Sequence, residues 1–454
     1  MPIPSNLLPW NRQYAFWSYL GGALWPVPLA ALLVYPPFHM AVRALGGWLE
    51  QTGRIHAPTA FFGLSSGGAR SLLETVVTLN LSFLVFTFGS LLVAIQVAGG
   101  QYTPRIIATT LLRDNVIRAT VGCFVFALGF ALRTLSRVDE TVDQLDVAVS
   151  GLLGGASMLV FLFLIDYAAR LLRPVSLVAR VGKFGIDVIE NVYPKPTKRP
   201  RAGVPAHFSA SPTRTVVHAG RSGVVLAVDV NGLIQQARAA RGVIELVPHV
   251  GDFLGVDEPL FRLYGDASSL GDRRLRGAVA FGTERTMEQD PTFSFRILVD
   301  IAIKALSAAI NDPTTAVMAI DQLQRLLRLV GLRDLRSDER HDDTGKVRLI
   351  LHTPNWEDYV HLSCTEIRHC GAGSIQIVRR LRSMLETLMQ TLPPHRHAEL
   401  RLQLELLDRA VDASYALPED RAMARLPDSQ GLGGSLGVQP QDEAAAPTDS
   451  KAGC

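Results

Sequence analysis

The chain has 454 residues, 48% of them hydrophobic, with 45 basic and 42 acidic side chains and a net charge of +3. That length exceeds one small domain, so at least two units are expected. The near-balanced charge, with no basic block interleaved by aromatics, points away from nucleic acid. The four cysteines, Cys123, Cys364, Cys370 and Cys454, form no compact paired set, so no disulfide framework is expected.

Long apolar runs crowd the first 170 positions and charges crowd the rest. Four windows reach the length of about 20 mostly apolar residues that a bilayer core demands. They cover residues 14–35, 72–98, 116–135 and 147–172. The first follows Arg12 as a signal peptide would. It is longer than a signal core, carries Pro26 and Pro28, and has no small-residue cleavage site beyond it, so it reads as a retained anchor. Each window alone suits a buried helix of a large soluble protein. Four within 170 residues favour the membrane.

Basic residues near the spans set the orientation. Arg105 and Arg113 lie between the second and third windows, and Arg170, Arg173, Arg180, Lys183 and Lys195 follow the fourth. This pattern puts both termini and the 99–115 loop in the cytoplasm, and the 36–71 loop outside. Arg43, Arg54 and Arg70 in that outer loop run against the rule.

The transmembrane domain is therefore expected over residues 1–173. Over 174–201, Val178, Val181, Phe184, Val188 and Val192 recur at helical spacing. They predict an amphipathic helix, lying on the inner leaflet or packing on the domain that follows, with a basic hinge after it. Residues 202–270 read as a small β-rich module like a barrel-sandwich, similar to biotinyl or lipoyl domains but without their cofactor lysine. Residues 271–426 read as mostly helical, with Asn311-Asp312-Pro313 breaking one helix and starting the next. Residues 427–454 are rich in Gly, Pro, Ser and Ala and are expected to be a disordered tail. The fold class is thus membrane α-helical with four transmembrane helices, joined to a cytoplasmic α+β domain.

Three stretches carry a family resemblance: AIQVAGGQYTPRI at 94–106, FGTERTMEQDPTFSFRILVDIAIKALSAAINDPTTA at 281–316, and WEDYVHLSCTEIRHCGAGSIQIVRRL at 356–381. They resemble the bacterial membrane family "domain of unknown function 2254" across most of residues 10–425. Thr103 stands where that family is associated with serine, and Ala308 where it is associated with proline. The resemblance implies a bacterial inner-membrane protein with a cytoplasmic domain, and no particular activity.

Candidate sites come from polar residues in unusual places. Asn80 and Gln96 lie within the second window beside Gly89, Gly99 and Gly100. Intramembrane polar groups are costly unless they face a partner or water. Asn80 shares a helix face with Thr87, and Gly89, Gln96 and Gly100 share another. Either face suits a pore, and either suits interhelical hydrogen bonding. Gln101, Pro104 and Arg105 follow the glycines and suit gating, a lipid phosphate or a topological anchor. Glu284, Arg285, Glu288, Asp290, Asp300, Asn311 and Asp312 form a polar set whose acidic and amide oxygens suit a hard cation. Capping, with an i,i+4 pair of Asp300 and Lys304, explains several of them more plainly. His361, Cys364, His369 and Cys370 match no standard zinc spacing, so no metal is assigned.

No nucleotide loop, nucleophile elbow or metalloprotease motif is present, so no enzyme activity and no cofactor are expected. The leading expectation is a homo-oligomeric channel or transport-related protein in the bilayer, lined by the second span and gated by the cytoplasmic domain. The alternative is a non-conducting scaffold or envelope sensor whose soluble partner the sequence does not name.

Overall fold

The computed structural model describes residues 9–51, 64–101, 114–138, 143–171, 173–196, 211–335 and 339–434. Four described helices are long and apolar enough to cross a bilayer. They belong to α2 (Pro26–Gln51), α3 (Ser66–Gln101), α4 (Asn115–Leu135) and α5 (Gln144–Leu171). α4 sits centrally against the other three. Small residues let them close up: a side chain at Gly129 would start 2.8 Å from the Tyr35 ring.

The first span departs from expectation. The 14–35 window is divided between α1 (Trp10–Gly22) and α2, with extended backbone at Ala23. The stretch long and apolar enough to cross a bilayer is Pro26–Leu49. A hydropathy window sums apolar residues and does not register that Gly21-Gly22 and Pro26 end one helix and begin another. α1 docks elsewhere. Its Asn11 N–H donates to the Gly277 carbonyl at 3.0 Å, and the Tyr14 and Ser18 hydroxyls donate to Glu288. The N-terminal helix and the C-terminal domain therefore lie at the same end of the bundle.

The amphipathic helix is α6 (Pro174–Val192). Its Leu177, Val178, Val181, Val188 and Ile189 are buried against α9 (Pro291–Ala305) and α10 (Pro313–Gly331). Of the two expected placements, the structure has the one on the following domain.

The barrel-sandwich expectation requires correction. The strands are β1 (Arg214–Val217), β2 (Gly223–Val228), β3 (Val243–Leu246), β4 (Phe253–Leu254), β5 (Pro259–Tyr264), β6 (Val279–Gly282), β7 (Glu339–His341) and β8 (Val347–Leu351). They form a five-stranded sheet of order β1-β5-β3-β8-β7 and a three-stranded sheet of order β4-β2-β6, with no closed barrel. β3 pairs in parallel with β8, Ile244 opposite Leu349. The β part therefore reaches well beyond residue 270. Between its strands lie α7 (Val230–Ala239) and the single turn α8 (Asp272–Arg276).

The remaining helices are α11 (Trp356–Gly371), α12 (Ile375–Thr391), α13 (His397–Ser414) and α14 (Pro418–Ala424). With α6, α9 and α10 they share one apolar core, while the sheets enclose another. The tail expectation is corrected for 427–434, which is seated on α12. Arg379 donates to the carbonyls of Leu426, Gly433 and Gly434 at 3.0, 3.1 and 2.6 Å. Asp428 accepts the N–H groups of Gln430, Gly431 and Gly433. Residues 435–454 lie outside the described residues.

The break between α9 and α10 follows the local rules. Asp312 caps α10, accepting the Thr315 N–H at 3.1 Å, and Pro313 takes the first helical position. Asn311 has φ +48°, a left-handed conformation that asparagine and glycine tolerate and β-branched residues resist. Asn311→Gly is therefore expected to be nearly neutral, and Asn311→Val to cost about 1–3 kcal/mol, read as a lower thermal unfolding midpoint. Equal midpoints for the two variants would contradict the conformational argument.

Candidate functional site

α3 has 36 residues, about 54 Å of helix at 1.5 Å per residue, against a hydrocarbon core of about 30 Å. It presents two polar faces. Asn80 and Thr87 turn inward and are buried. Each bonds its own helix, Asn80 Nδ2 to the Val76 carbonyl at 2.9 Å and Thr87 Oγ1 to that of Phe83 at 2.6 Å. The Asn80 Oδ1 has no hydrogen-bond partner among the described residues. The second face turns away from the bundle: Ser71, Thr75, Thr78 and Ser82 are exposed at spacings of four, three and four, and Gly89, Gln96 and Gly100 follow on the same stripe after steps of seven, seven and four, with exposed Val85, Phe86, Leu92 and Val93 between them. The two faces the sequence separates are separated in the structure, one inward and one outward.

The C-terminal end of α3 meets the C-terminal domain. Lys304 Nζ donates to the Gly99 carbonyl at 2.9 Å. A cation is favourable at a helix C-terminus, where unpaired carbonyls concentrate negative potential. The expected Asp300–Lys304 pairing is thereby revised. Asp300 instead accepts from Arg296 at 2.6 Å, and Arg296 also binds Glu366. The Arg296 guanidinium holds the Glu366 carboxyl below its usual range. Gln101 ends α3, and Pro104 and Arg105 lie outside the described residues.

A second polar knot ties the same junction. Asp114 caps α4, accepting the N–H groups of Val116 and Ile117. It also accepts Tyr167 Oη of α5 and Arg180 Nη1 of α6, both at 2.6 Å. Burial pushes the Asp114 carboxyl up, but these hydrogen bonds and the Arg180 charge outweigh burial and hold it below the usual carboxylate range. One carboxylate thus joins two spans to the helix that leads into the C-terminal domain.

The other candidates are structural in placement. Glu284 and Arg285 are exposed, and Glu288 anchors α1. Asp290 caps α9, accepting the Phe293 N–H at 3.3 Å, and pairs with Arg285 at 2.9 Å. Burial is the largest influence on Asp290 and raises its carboxyl despite Arg285. Asn311, Asp312 and Pro313 form the helix break. His361 pairs with Glu399 at 3.2 Å, the Cys364 thiol is pushed up to about 12 by burial, and Cys370 is exposed. Among the described residues no three potential ligands gather around a metal position.

One pair escapes sequence reasoning. His39 Nε2 of α2 lies 3.3 Å from Asp146 Oδ2 of α5, both buried, with the His39 ring against Phe130 of α4. Arg43 and Asp143 face each other at its rim at 4.0 Å. The misplaced first span puts His39 in an outer loop. The available signal is a histidine and an arginine four residues apart in an otherwise apolar run ending at Trp48.

Residues 22–387 match the profile of the family described as "Predicted membrane protein (DUF2254)". The uncharacterized protein Rv1290c of Mycobacterium tuberculosis and the uncharacterized protein Mb1321c of Mycobacterium bovis are each 27% identical over 433 residues. These alignments cover 91% of this chain and 81% of each relative. No solved structure matches the chain. With four membrane-length apolar helices and a family profile over most of its length, the chain belongs to the DUF2254 family of predicted membrane proteins.

Proposed function

We propose that the protein is a homo-oligomeric channel or transport-related protein of the bacterial inner membrane, with α3 lining a path shared between copies. The observation that carries this reading is the outward polar stripe of α3. An outward-facing amide such as Gln96 costs several kcal/mol wherever it meets hydrocarbon without a partner. A second copy or a water-filled path relieves that cost. The Lys304–Gly99 contact supports gating, because it attaches the C-terminal domain to the end of the same helix. Basic residues after α5 favour a cytoplasmic C-terminal domain, and the docking of α1 on that domain favours an N-terminus on the same side.

One observation favours a non-conducting scaffold or sensor instead. Thr75, Thr78 and Ser82 each bond a carbonyl of their own helix at 2.8 Å, so that part of the stripe can close dry against a neighbour. Mass measurement in detergent and conductance in planar bilayers separate the readings. An oligomer whose current falls at least severalfold in Gln96→Leu is expected. A strict monomer, or a current unchanged by Gln96→Leu, overturns the α3-lined path, and an oligomer without current selects the scaffold.

A further inference from the structure

A cavity of about 500 Å³ opens between the start of α1 and the β part, walled by Trp10, Asp229, Gln236, Arg273, Arg274 and Gly277. Small-molecule sites occupy roughly 300–1,000 Å³. Arg273 and Arg274 are exposed at its edge. Nearby arginines are engaged: Arg276 donates to the Val217 carbonyl and to Asp272, and Arg214 binds Asp272. The Arg273 and Arg274 guanidinium groups have no ion-pair partner among the described residues.

The deeper wall carries an unmet need. Gln236 is only 7% exposed, and its Oε1 has no hydrogen-bond partner among the described residues. An amide oxygen buried this way lacks a donor that a ligand can bring. Asp229 already spends Oδ1 on the Gly232 N–H, capping α7. Trp10, stacked on Tyr14 with ring centroids 5.3 Å apart, supplies an apolar wall.

We infer that this cavity binds a phosphate ester bearing a neighbouring hydroxyl, with the phosphate on Arg273 and Arg274 and the hydroxyl donating to Gln236. Guanidinium forks match phosphate oxygens in geometry and charge. The hydroxyl supplies the donor that Gln236 lacks. Such a group is found on a glycerol-type lipid headgroup and on a soluble phosphate ester. Both sources reach the site. α1 is 13 residues long, about 20 Å, and only residues 23–25 separate it from the span in α2. Phe16, Trp17, Tyr19 and Trp25 are exposed along this stretch, as suits a membrane interface. The inference is independent of oligomerisation and conduction.

The test uses the full chain. In the soluble arm, purified protein is titrated with glycerol 3-phosphate by calorimetry. In the lipid arm, the unfolding midpoint is compared in nanodiscs of phosphatidylcholine alone and of phosphatidylcholine mixed with phosphatidylglycerol. The doubly substituted Arg273→Gln/Arg274→Gln protein keeps its fold because both side chains are exposed. It is expected to weaken binding at least about tenfold, or to abolish the phosphatidylglycerol stabilisation. Gln236→Leu is expected to weaken the same arm, and Arg12→Gln, exposed on α1 and outside the cavity wall, to leave it unchanged. Which arm responds identifies the source. No response of the wild type in either arm, or equal responses of wild type and Arg273→Gln/Arg274→Gln, overturns the inference.

Discussion

Gly185→Leu is expected to lower the thermal unfolding midpoint of the full chain in detergent by about 5–10 °C. A Cβ at Gly185 would lie 2.9 and 3.0 Å from the two Leu326 methyl carbons of α10 and 3.0 Å from Ser294 Cβ of α9. These atoms are core, with Leu326 and Ser294 fully buried, so they have nowhere to retreat. Gly182, one turn earlier, gives an internal comparison. A Cβ there runs into the Gln322 side-chain amide, the far end of a flexible chain, so Gly182→Ala is expected to cost less. Gly373→Ala, with nothing within 4 Å, is expected to leave the midpoint unchanged. A Gly185→Leu protein as stable as wild type would mean that α6 does not seat on α9 and α10. The stakes are mechanical, because α6 also carries Arg180, which holds Asp114 at the start of α4.

These glycines illustrate what the sequence makes legible and what it hides. Period-3.6 spacing marks the apolar face of α6, but glycines on that face read as weak helix formers rather than as sites of close approach. The Asn311-Asp312-Pro313 break is legible in full, because capping and positive φ are local effects written in adjacent residues. The helices from Trp356 to Ala424 are likewise legible from their spacing. The pairing of β3 with β8 is not. It joins segments about a hundred residues apart, and a five-residue strand carries no mark of its partner. Lys304 looks like the local partner of Asp300 until the fold brings the end of α3 beside it. The seating of residues 427–434 on Arg379 is hidden for a similar reason, since Gly and Ser composition signals disorder while a buried guanidinium supplies the missing contacts.

Single removal of either member of the His39–Asp146 pair is expected to destabilise the bundle by about 1–3 kcal/mol, and removal of both to restore most of that loss. The pair lies between α2 and α5 beside α4, and each side chain has been withdrawn from solvent. His39→Leu leaves Asp146 with Asp143 and Arg43 as its charged neighbours. Asp146→Leu leaves His39 with Arg43, Arg133 and Asp143 as its charged neighbours. In His39→Leu/Asp146→Leu neither polar group remains, and two apolar side chains fill the space. A double-mutant cycle on unfolding midpoints in detergent reads the coupling directly. Losses that simply add would remove the pair as a unit. Strong coupling would show that α5 is held by polar contacts at both ends, by His39 at the far end and through Tyr167 and Asp114 at the domain end.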